Sequence, residues 1–283
     1  MTDFFEDIEV NLASPFNYTG SKFELLPQLN NLFPEKHTYD TFYDLFCGGG
    51  SITVNLLNKH VVANDIFKPI IDFYIELQTK DWQYIYKEIN KNIDKCKTKD
   101  TYYAFTKEYN ENKNPYGFFA LNCCCLNNMM RINKKMNWNA SYGQRSVNAS
   151  IFSKLVGYWN RINNNKLLKF VSGNFYDIKP LANSFVYLDP PYIITDVGYT
   201  NIWSEELDNL MFEYMDDLNK QGIRFAMSNV AKNKGIVYDK LLKTVKDCKY
   251  NIHKIKHDYG HVGVIGNANP EKDDTEEVLV TNY

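Results

Sequence analysis

The residues whose types and spacing best suit chemistry are Asp189-Pro190-Pro191-Tyr192, which directly follow Phe185-Val186-Tyr187-Leu188. The β-branched and aromatic run reads as a buried central strand, and it must stop where Pro190 removes a ladder donor. The stop therefore falls on a carboxylate. At the carboxyl edge of a parallel sheet, where such folds take their ligands, Asp189 offers a side-chain acceptor, Pro190 a carbonyl and Tyr192 an aromatic face. Two converging acceptors and a ring suit an amino group on a flat heterocycle. The exocyclic amine of adenine is a poor nucleophile because its lone pair is delocalised; accepting both its hydrogens would localise that pair on nitrogen, ready to take a methyl group. Taken alone, the same four residues could simply end a strand.

Two further stretches supply partners for such a site. Thr41-Phe42-Tyr43-Asp44-Leu45-Phe46 reads as a strand, Cys47-Gly48-Gly49-Gly50-Ser51 as a loop, and Ile52 to Leu57 as a helix. Strand, glycine loop and helix start form the ligand cradle of doubly wound folds. Gly48 and Gly50 fit the dinucleotide fingerprint, but Thr53 stands where its third glycine belongs. The next strand, Val61 to Ala63, delivers Asn64-Asp65 at its tip, and an acid about 20 residues beyond the glycines can hold both hydroxyls of a ribose. The ligand implied is an adenosine compound. Upstream, Tyr18-Thr19-Gly20-Ser21-Lys22 runs into a helix pattern, putting Lys22 at a first turn where a cation is unfavourable unless an anion is near.

The elements that must position these residues follow in order. Residues 70–109 carry a helical pattern, and Met129 to Gly143 alternates around Lys134-Lys135, which predicts a short hairpin bearing amides, an arginine and an indole. Ile151 to Asn163 reads as a helix. Leu167 to Val171 reads as a strand whose tip loop brings Phe175 beside a purine. Ile193 to Trp203 reads as a loop that could close over a substrate, Glu205 to Lys220 as a helix, and Ile223 to Met227 as a strand tipped by Ser228-Asn229. Lys232 to Lys246 reads as helical, Tyr250 to Ile255 and Val278 to Thr281 as closing strands, and Gly260 to Asp274 as a long mobile loop.

Composition narrows the class. At 283 residues, 44% hydrophobic and 23% charged, the chain suits a soluble globular protein with one large domain or a domain carrying an insertion. No long apolar run and an acidic N-terminus point to a cytoplasmic protein without membrane span or signal peptide. The six cysteines include three in a row and no Cys-x-x-Cys pair, which reads as reduced packing residues. The net charge of −2 hides a split. Between Asn112 and Tyr176 there is no Asp or Glu but nine Lys and Arg (Lys113, Arg131, Lys134, Lys135, Arg145, Lys154, Arg161, Lys166, Lys169), so the remainder carries −11 (−2 minus 9). Such asymmetry is the footprint of a nucleic-acid partner.

The order Phe-x-Tyr-x-Gly-Ser-Lys, Asp-Leu-Phe-Cys-Gly-Gly-Gly-Ser, Asn-Asp, a variable insert, then Asp-Pro-Pro-Tyr resembles the Dam family of DNA adenine methyltransferases in the alpha arrangement of motifs. The resemblance covers nearly the whole chain and is weakest from 70 to 120. It implies an α/β, Rossmann-like S-adenosylmethionine-dependent methyltransferase sheet over 1–72 and 164–283. A mainly helical target-recognition subdomain with a β-hairpin is then inserted over 73–163. It implies methyl transfer from S-adenosylmethionine to adenine N6 in a specific duplex DNA sequence, with the base flipped out and S-adenosylhomocysteine as product. The sulfonium is already activated, so no metal is required. The alternatives are an RNA adenine methyltransferase and a non-catalytic DNA-binding protein retaining the cofactor fold.

By the same resemblance Asp189, Pro190 and Tyr192 are catalytic. Tyr18, Lys22, Phe46, Gly48, Gly50, Asp65, Phe175 and Asp189 are expected to bind the cofactor. Asn128, Arg131, Asn133, Lys134, Lys135, Asn139, Tyr142 and Arg145 are expected to bind DNA, with Arg131 reading a guanine. Tyr18 stands where Dam enzymes commonly carry tryptophan, and Ser141 where GATC-reading relatives usually carry proline. The expected species is a monomer or weak dimer.

If about five of the nine cations meet phosphates, log affinity for duplex DNA falls with log salt at a slope of roughly −4 to −5. A flat response in a fluorescence titration across salt concentrations would remove the insert from DNA binding.

Overall fold

A computed structural model describes residues 11–18, 20–133, 135–144, 148–195, 203–256 and 275–283. Its strands are β1 (Thr41–Asp44), β2 (His60–Asp65), β3 (Leu168–Ser172), β4 (Ser184–Leu188), β5 (Arg224–Asn233), β6 (Ile236–Val237), β7 (Asn251–Ile255) and β8 (Glu276–Thr281). Its helices are α1 (Leu26–Leu32), α2 (Ser51–Asn55), α3 (Lys68–Thr79), α4 (Trp82–Ile93), α5 (Lys99–Asn112), α6 (Pro115–Cys124), α7 (Ala149–Ile162), α8 (Glu205–Lys220) and α9 (Asp239–Cys248). The sheet runs β3-β2-β1-β4-β5-β8-β7, with β6 paired to β5. Strands β3, β2, β1, β4 and β5 are mutually parallel, and β8 and β7 close the edge antiparallel. Mixed α/β architecture with a mostly parallel sheet is what the sequence predicts.

Strand β4 is buried throughout, which is why it reads as an unbroken apolar run rather than an alternating one. It pairs with β1, Asp44 opposite Tyr187, at the point where the strand order reverses. Connections leave β1 and β4 in opposite directions there, opening a crevice beyond their carboxyl ends. Asp189 and the glycine loop after β1 therefore emerge side by side.

The connection from β2 to β3 contains α3 to α7. Helix α3 straddles the boundary expected at 72/73 and lies on both sides of the junction. Tyr74 stacks on Phe170 of β3 at 5.2 Å, whereas Phe73 stacks on Phe119 of α6 at 4.9 Å. Helix α6 is apolar on every face and buried from Tyr116 to Cys124, the pattern of a helix enclosed by others. Asn114 caps it by accepting from Tyr116 N and Gly117 N, and Pro115 occupies the first turn.

Three predicted elements differ. The hairpin over 129–143 is irregular: isolated antiparallel bridges Ile132 to Trp138 and Cys125 to Tyr142 replace a continuous ladder. Trp138 is only 2% exposed and its indole donates to the Tyr102 hydroxyl at 2.8 Å, so burial of that ring bends the segment inward. Strand β5 runs past Met227 to Asn233, leaving Ser228 and Asn229 buried within it rather than at a tip. The helix expected from Lys232 starts at Asp239. Lys234 and Gly235 both have positive φ (48° and 79°) and form the two-residue turn of a β5–β6 hairpin, a conformation that matches strand twist. The expected loop over 260–274 lies outside the described residues, as does 196–202 of the loop expected to close over a substrate. No described helix is long and apolar enough to cross a membrane.

Tyr102 holds the 126–143 segment through two bonds, accepting from Trp138 Nε1 and donating to the Ala140 carbonyl at 3.0 Å. Tyr102→Phe strands both groups in the interior, so unfolding free energy should fall by about 2–4 kcal/mol. Hydrogen exchange should accelerate over 126–143 before it does in the sheet; uniform exchange in both regions would contradict this attachment.

Candidate active site

The loop after β1 is built by bonds from its neighbours. Cys47 N donates to the Asn64 carbonyl at 2.9 Å, Gly48 N to Asp65 Oδ2 at 2.9 Å, and the Tyr74 hydroxyl to the Gly48 carbonyl at 2.9 Å. Asn64 Nδ2 donates to the carbonyls of Leu45 and Gly173 at 3.0 and 3.1 Å, tying the loop to the tip of β3. Gly48 (φ +43°) faces the Tyr18 ring, which a Cβ would meet at 2.7 Å, and at Gly50 (φ +74°) the Tyr158 hydroxyl occupies the space a Cβ would need. Glycine is required at both positions by conformation and by room. Thr53 donates to Asp44 Oδ2 at 2.6 Å, which gives a reason for a threonine where a dinucleotide fingerprint has glycine. Helix α2 is only five residues long, so backbone amides and side chains around the loop, rather than a long helix axis, shape the cradle.

A cavity of about 630 Å³ opens beside this loop. Tyr18, Lys22, Phe46, Gly48, Gly50, Asp65, Phe175, Asp189, Pro190 and Tyr192 all line it. Phe46, Phe175 and Trp203 form one wall, with Phe46 centred 5.3 Å from Phe175 and 5.8 Å from Trp203. That wall suits a planar ring. Asp65 Oδ1 accepts from Phe67 N at 2.8 Å while Oδ2 holds Gly48 N, so its carboxylate organises the loop at the same time as it faces the cavity. Burial raises its pKa.

At the opposite end Lys22 is 6% exposed and its Nζ lies 3.0 Å from Asp189 Oδ1. It also donates to the Gly20 carbonyl at 3.0 Å and sits 5.1 Å above the Tyr192 ring. The anion that a lysine at this helix start requires is thus Asp189. The Tyr192 hydroxyl reaches Asp189 Oδ1 at 3.0 Å and Glu277 Oε1 at 3.1 Å. Among the described residues, both contacts to the Asp189 carboxylate fall on Oδ1, which leaves Oδ2 as the acceptor for a ligand. Burial pushes the Asp189 pKa up, against the opposing pull of Lys22. The arrangement can accept an amine hydrogen at the strand tip while a second planar group lies along the ring wall.

The expected DNA-binding residues that are described lie on 126–143, and none of them lines the cavity. Arg131, Lys135 and Asn139 are exposed there. Asn133 Oδ1 accepts from Lys135 N and Asn137 N at 2.9 and 3.1 Å, so it shapes the turn. Tyr142 donates to the Lys97 carbonyl at 3.0 Å and packs on Tyr102. Asn128 has φ +53° and its backbone carbonyl accepts from Asn122. Lys134 and Arg145 lie outside the described residues. Lys113 binds the Met136 carbonyl and Asn137 Oδ1 at 3.2 and 2.7 Å, which makes it a brace rather than a free cation.

Sequence reasoning missed Glu277, Trp203 and the pair Ile132 and Met136, all of which line the cavity. Glu277 carried no signal for this, since it follows Glu276 and stands just before Val278 to Thr281, the run read as a strand.

A family profile described as D12 class N6 adenine-specific DNA methyltransferase matches residues 18–260. Modification methylase StsI of Streptococcus sanguinis is 33% identical over 96% of this chain and 43% of its own length. Type II methyltransferase M.FokI of Planomicrobium okeanokoites is 30% identical over 96% of this chain and 43% of its own. The chain thus spans less than half the length of these two relatives. Type II methyltransferase M1.LlaDCHI of Lactococcus lactis subsp. cremoris is 26% identical over 97% of both chains.

Asp44, at the end of β1, lines the cavity, and its pKa is raised from the ordinary 3.8 to about 7, first by burial and then by Asp189 and Asp65, against the hydrogen bonds from Thr53 and the Phe46 backbone. Because the folded state holds this proton more tightly than the unfolded chain, the associated stability is complete below about pH 4 and lost as pH rises through about 7. Asp44→Asn carries no such loss. Without ligand, its stability relative to the parent should rise by a few kcal/mol, at about 1.4 per pKa unit, between about pH 4 and pH 8. Urea denaturation at both ends checks this, and an equal difference at each would place the Asp44 carboxyl in the ordinary range.

Proposed function

The chain belongs to the D12 class N6 adenine-specific DNA methyltransferases, and from that premise we propose that it transfers a methyl group from S-adenosylmethionine to N6 of adenine in duplex DNA. The observation that carries this reading is Asp189: a carboxylate at a strand tip, restrained through one oxygen and open at the other, across one cavity from a glycine loop and an aromatic wall. The residues fit the cofactor. The ring wall of Phe46 and Phe175 suits an adenine, Asp65 stands where a ribose would need an acceptor, and the volume lies within the range of ligand sites, about 300–1,000 Å³. When bound, S-adenosylmethionine supplies an activated methyl group and leaves as S-adenosylhomocysteine.

The remaining work falls to the protein. An adenine cannot react inside the stack, so it enters the cavity flipped, at a cost of a few kcal/mol offset by ring contacts and by phosphate contacts elsewhere. Asp189 Oδ2 accepts one amine hydrogen, and the Pro190 carbonyl is the second acceptor we assign. Drawing on both hydrogens concentrates the lone pair on nitrogen. As the N–C bond forms at the expense of the methyl–sulfur bond, the nitrogen takes on positive charge, which the buried Asp189 carboxylate stabilises and then relieves by taking the extra proton for release to solvent. Arg131, Lys135 and Asn139 are assigned to DNA, on the exposed face of the segment whose Ile132 and Met136 line the cavity. We place the activity in the cytoplasm, on a monomer or weak dimer.

Asp189→Ala should lower methyl transfer by about a hundred- to a thousandfold, the cost of removing one preorganised group at a reacting centre. Because it also takes the buried Lys22 out of its ion pair, stability should fall as well, and a thermal melt read beside the activity separates the two effects. Incorporation of labelled methyl groups into matched duplex DNA and duplex RNA, read as N6-methyladenine, checks both the residue and the substrate. Full activity of the variant would remove Asp189 from the reaction, and preferential labelling of RNA would replace DNA as the substrate.

A further inference from the structure

Glu277 stands on β8, which lies between β5 and the edge strand β7, and it lines the cavity beside the β4 tip. It is 8% exposed. Its Oε1 lies 3.1 Å from the Tyr192 hydroxyl and 3.7 Å from Lys22 Nζ, the same two donors that hold Asp189 Oδ1 at 3.0 Å each. Tyr192 has a single hydroxyl hydrogen and cannot satisfy both carboxylates at once. Lys22 and Tyr192 therefore have two alternative acceptors within reach, and a small movement of either donor trades one carboxylate for the other.

This has a consequence for an amine arriving at Asp189. Every donor on Asp189 weakens it as an acceptor, because its electron density is already drawn toward an ammonium and a phenol. An acceptor that draws those donors aside restores Asp189. Resting on the proposed methyl transfer, we propose that Glu277 is a positioning residue for the reaction: it takes up Lys22 and Tyr192 as the target amine engages Asp189. It touches neither reacting atom. Without it, both donors would stay on Asp189 and compete with the amine.

The electrostatics agree with the geometry. Burial and Glu277 both push the Asp189 pKa up, whereas Lys22 and the Tyr192 hydrogen bond pull it down. Among the described residues, the other titratable groups facing the cluster are Tyr187, whose hydroxyl is paired with Ser228 at 2.7 Å, and Asp44 on β1. Burial holds the Tyr187 hydroxyl well above its ordinary range and the Glu277 charge raises it further, so it stays neutral in parent and variant alike.

The test compares the full chain with Glu277→Gln, which keeps an acceptor for Tyr192 and removes the charge, and with Glu277→Asp. For Glu277→Gln, kcat should fall about ten- to a hundredfold with KM for DNA and for S-adenosylmethionine held within about twofold, as expected for an interaction that matters only in the transition state. The acid limb of the kcat profile should move to lower pH, since Asp189 loses a like-charged neighbour, and Glu277→Asp should recover part of the rate. A purely structural role would lower thermal stability and leave the limb in place. The second readout needs no turnover: the carboxyl carbon resonance of Asp189, followed by NMR in protein alone, should titrate at lower pH in Glu277→Gln than in the parent. An unmoved resonance and an unmoved acid limb would overturn the inference. Absence of methyl transfer by the parent chain would instead overturn the proposed function, and the resonance would still decide whether Glu277 sets the state of Asp189.

Discussion

The buried ion pair between Lys22 and Asp189 is the interaction on which the site depends. It joins the segment preceding the first helix to the tip of the central strand, and through Tyr192 and Lys22 it reaches the last strand at Glu277. Charges taken from water must be compensated, and removing one partner of such a pair is far more costly than its net worth suggests. The beginning, middle and end of the chain are thus held at one point by an electrostatic requirement. The apolar strands supply the cohesion; the ion pair decides which polar groups stand together at their ends.

A second requirement shapes the cofactor side. The glycine loop is surrounded by tyrosines, with Tyr18 against Gly48 and Tyr158 against Gly50, while Tyr74 donates to the Gly48 carbonyl. Asp65 bonds the loop and the start of the next connection in the same stroke. The loop is therefore already formed before a ligand enters, which lowers the ordering cost of binding. Helix α3 links this loop to the inserted helices through adjacent rings, Tyr74 on one side and Phe73 on the other. Because the 126–143 segment contributes Ile132 and Met136 to the cavity wall, the surface assigned to DNA and the reacting pocket share a structural element.

Much of this was legible in the residues. The strand ending at Asp189, the glycine loop and Asp65 could be read because each combines a local propensity with a stop: an apolar run halted by proline, a strand halted by glycines, a short strand ending in an acid. What misled were stretches whose local pattern was overruled. Lys232 to Val237 carries no strong strand signal, and it forms a hairpin because Lys234-Gly235 turns tightly and β8 offers a neighbour to pair with. Trp138 reads as the indole of a short regular hairpin, but a partner for its N–H waits on α5 and the ring goes inside.

By itself the sequence determined the strands and their punctuation, the identity of the carboxylate at the β4 tip and the concentration of positive charge in the insertion, because these depend on contacts between near neighbours and on composition. Only the tertiary structure decided that Asp189 and Glu277, far apart in sequence, share Lys22 and Tyr192 as partners, and that Lys113 braces a turn instead of waiting for a phosphate. The reason is physical: which distant side chains meet at a sheet's edge follows from strand order and register, and those are set by the packing of the whole core rather than by any stretch within it.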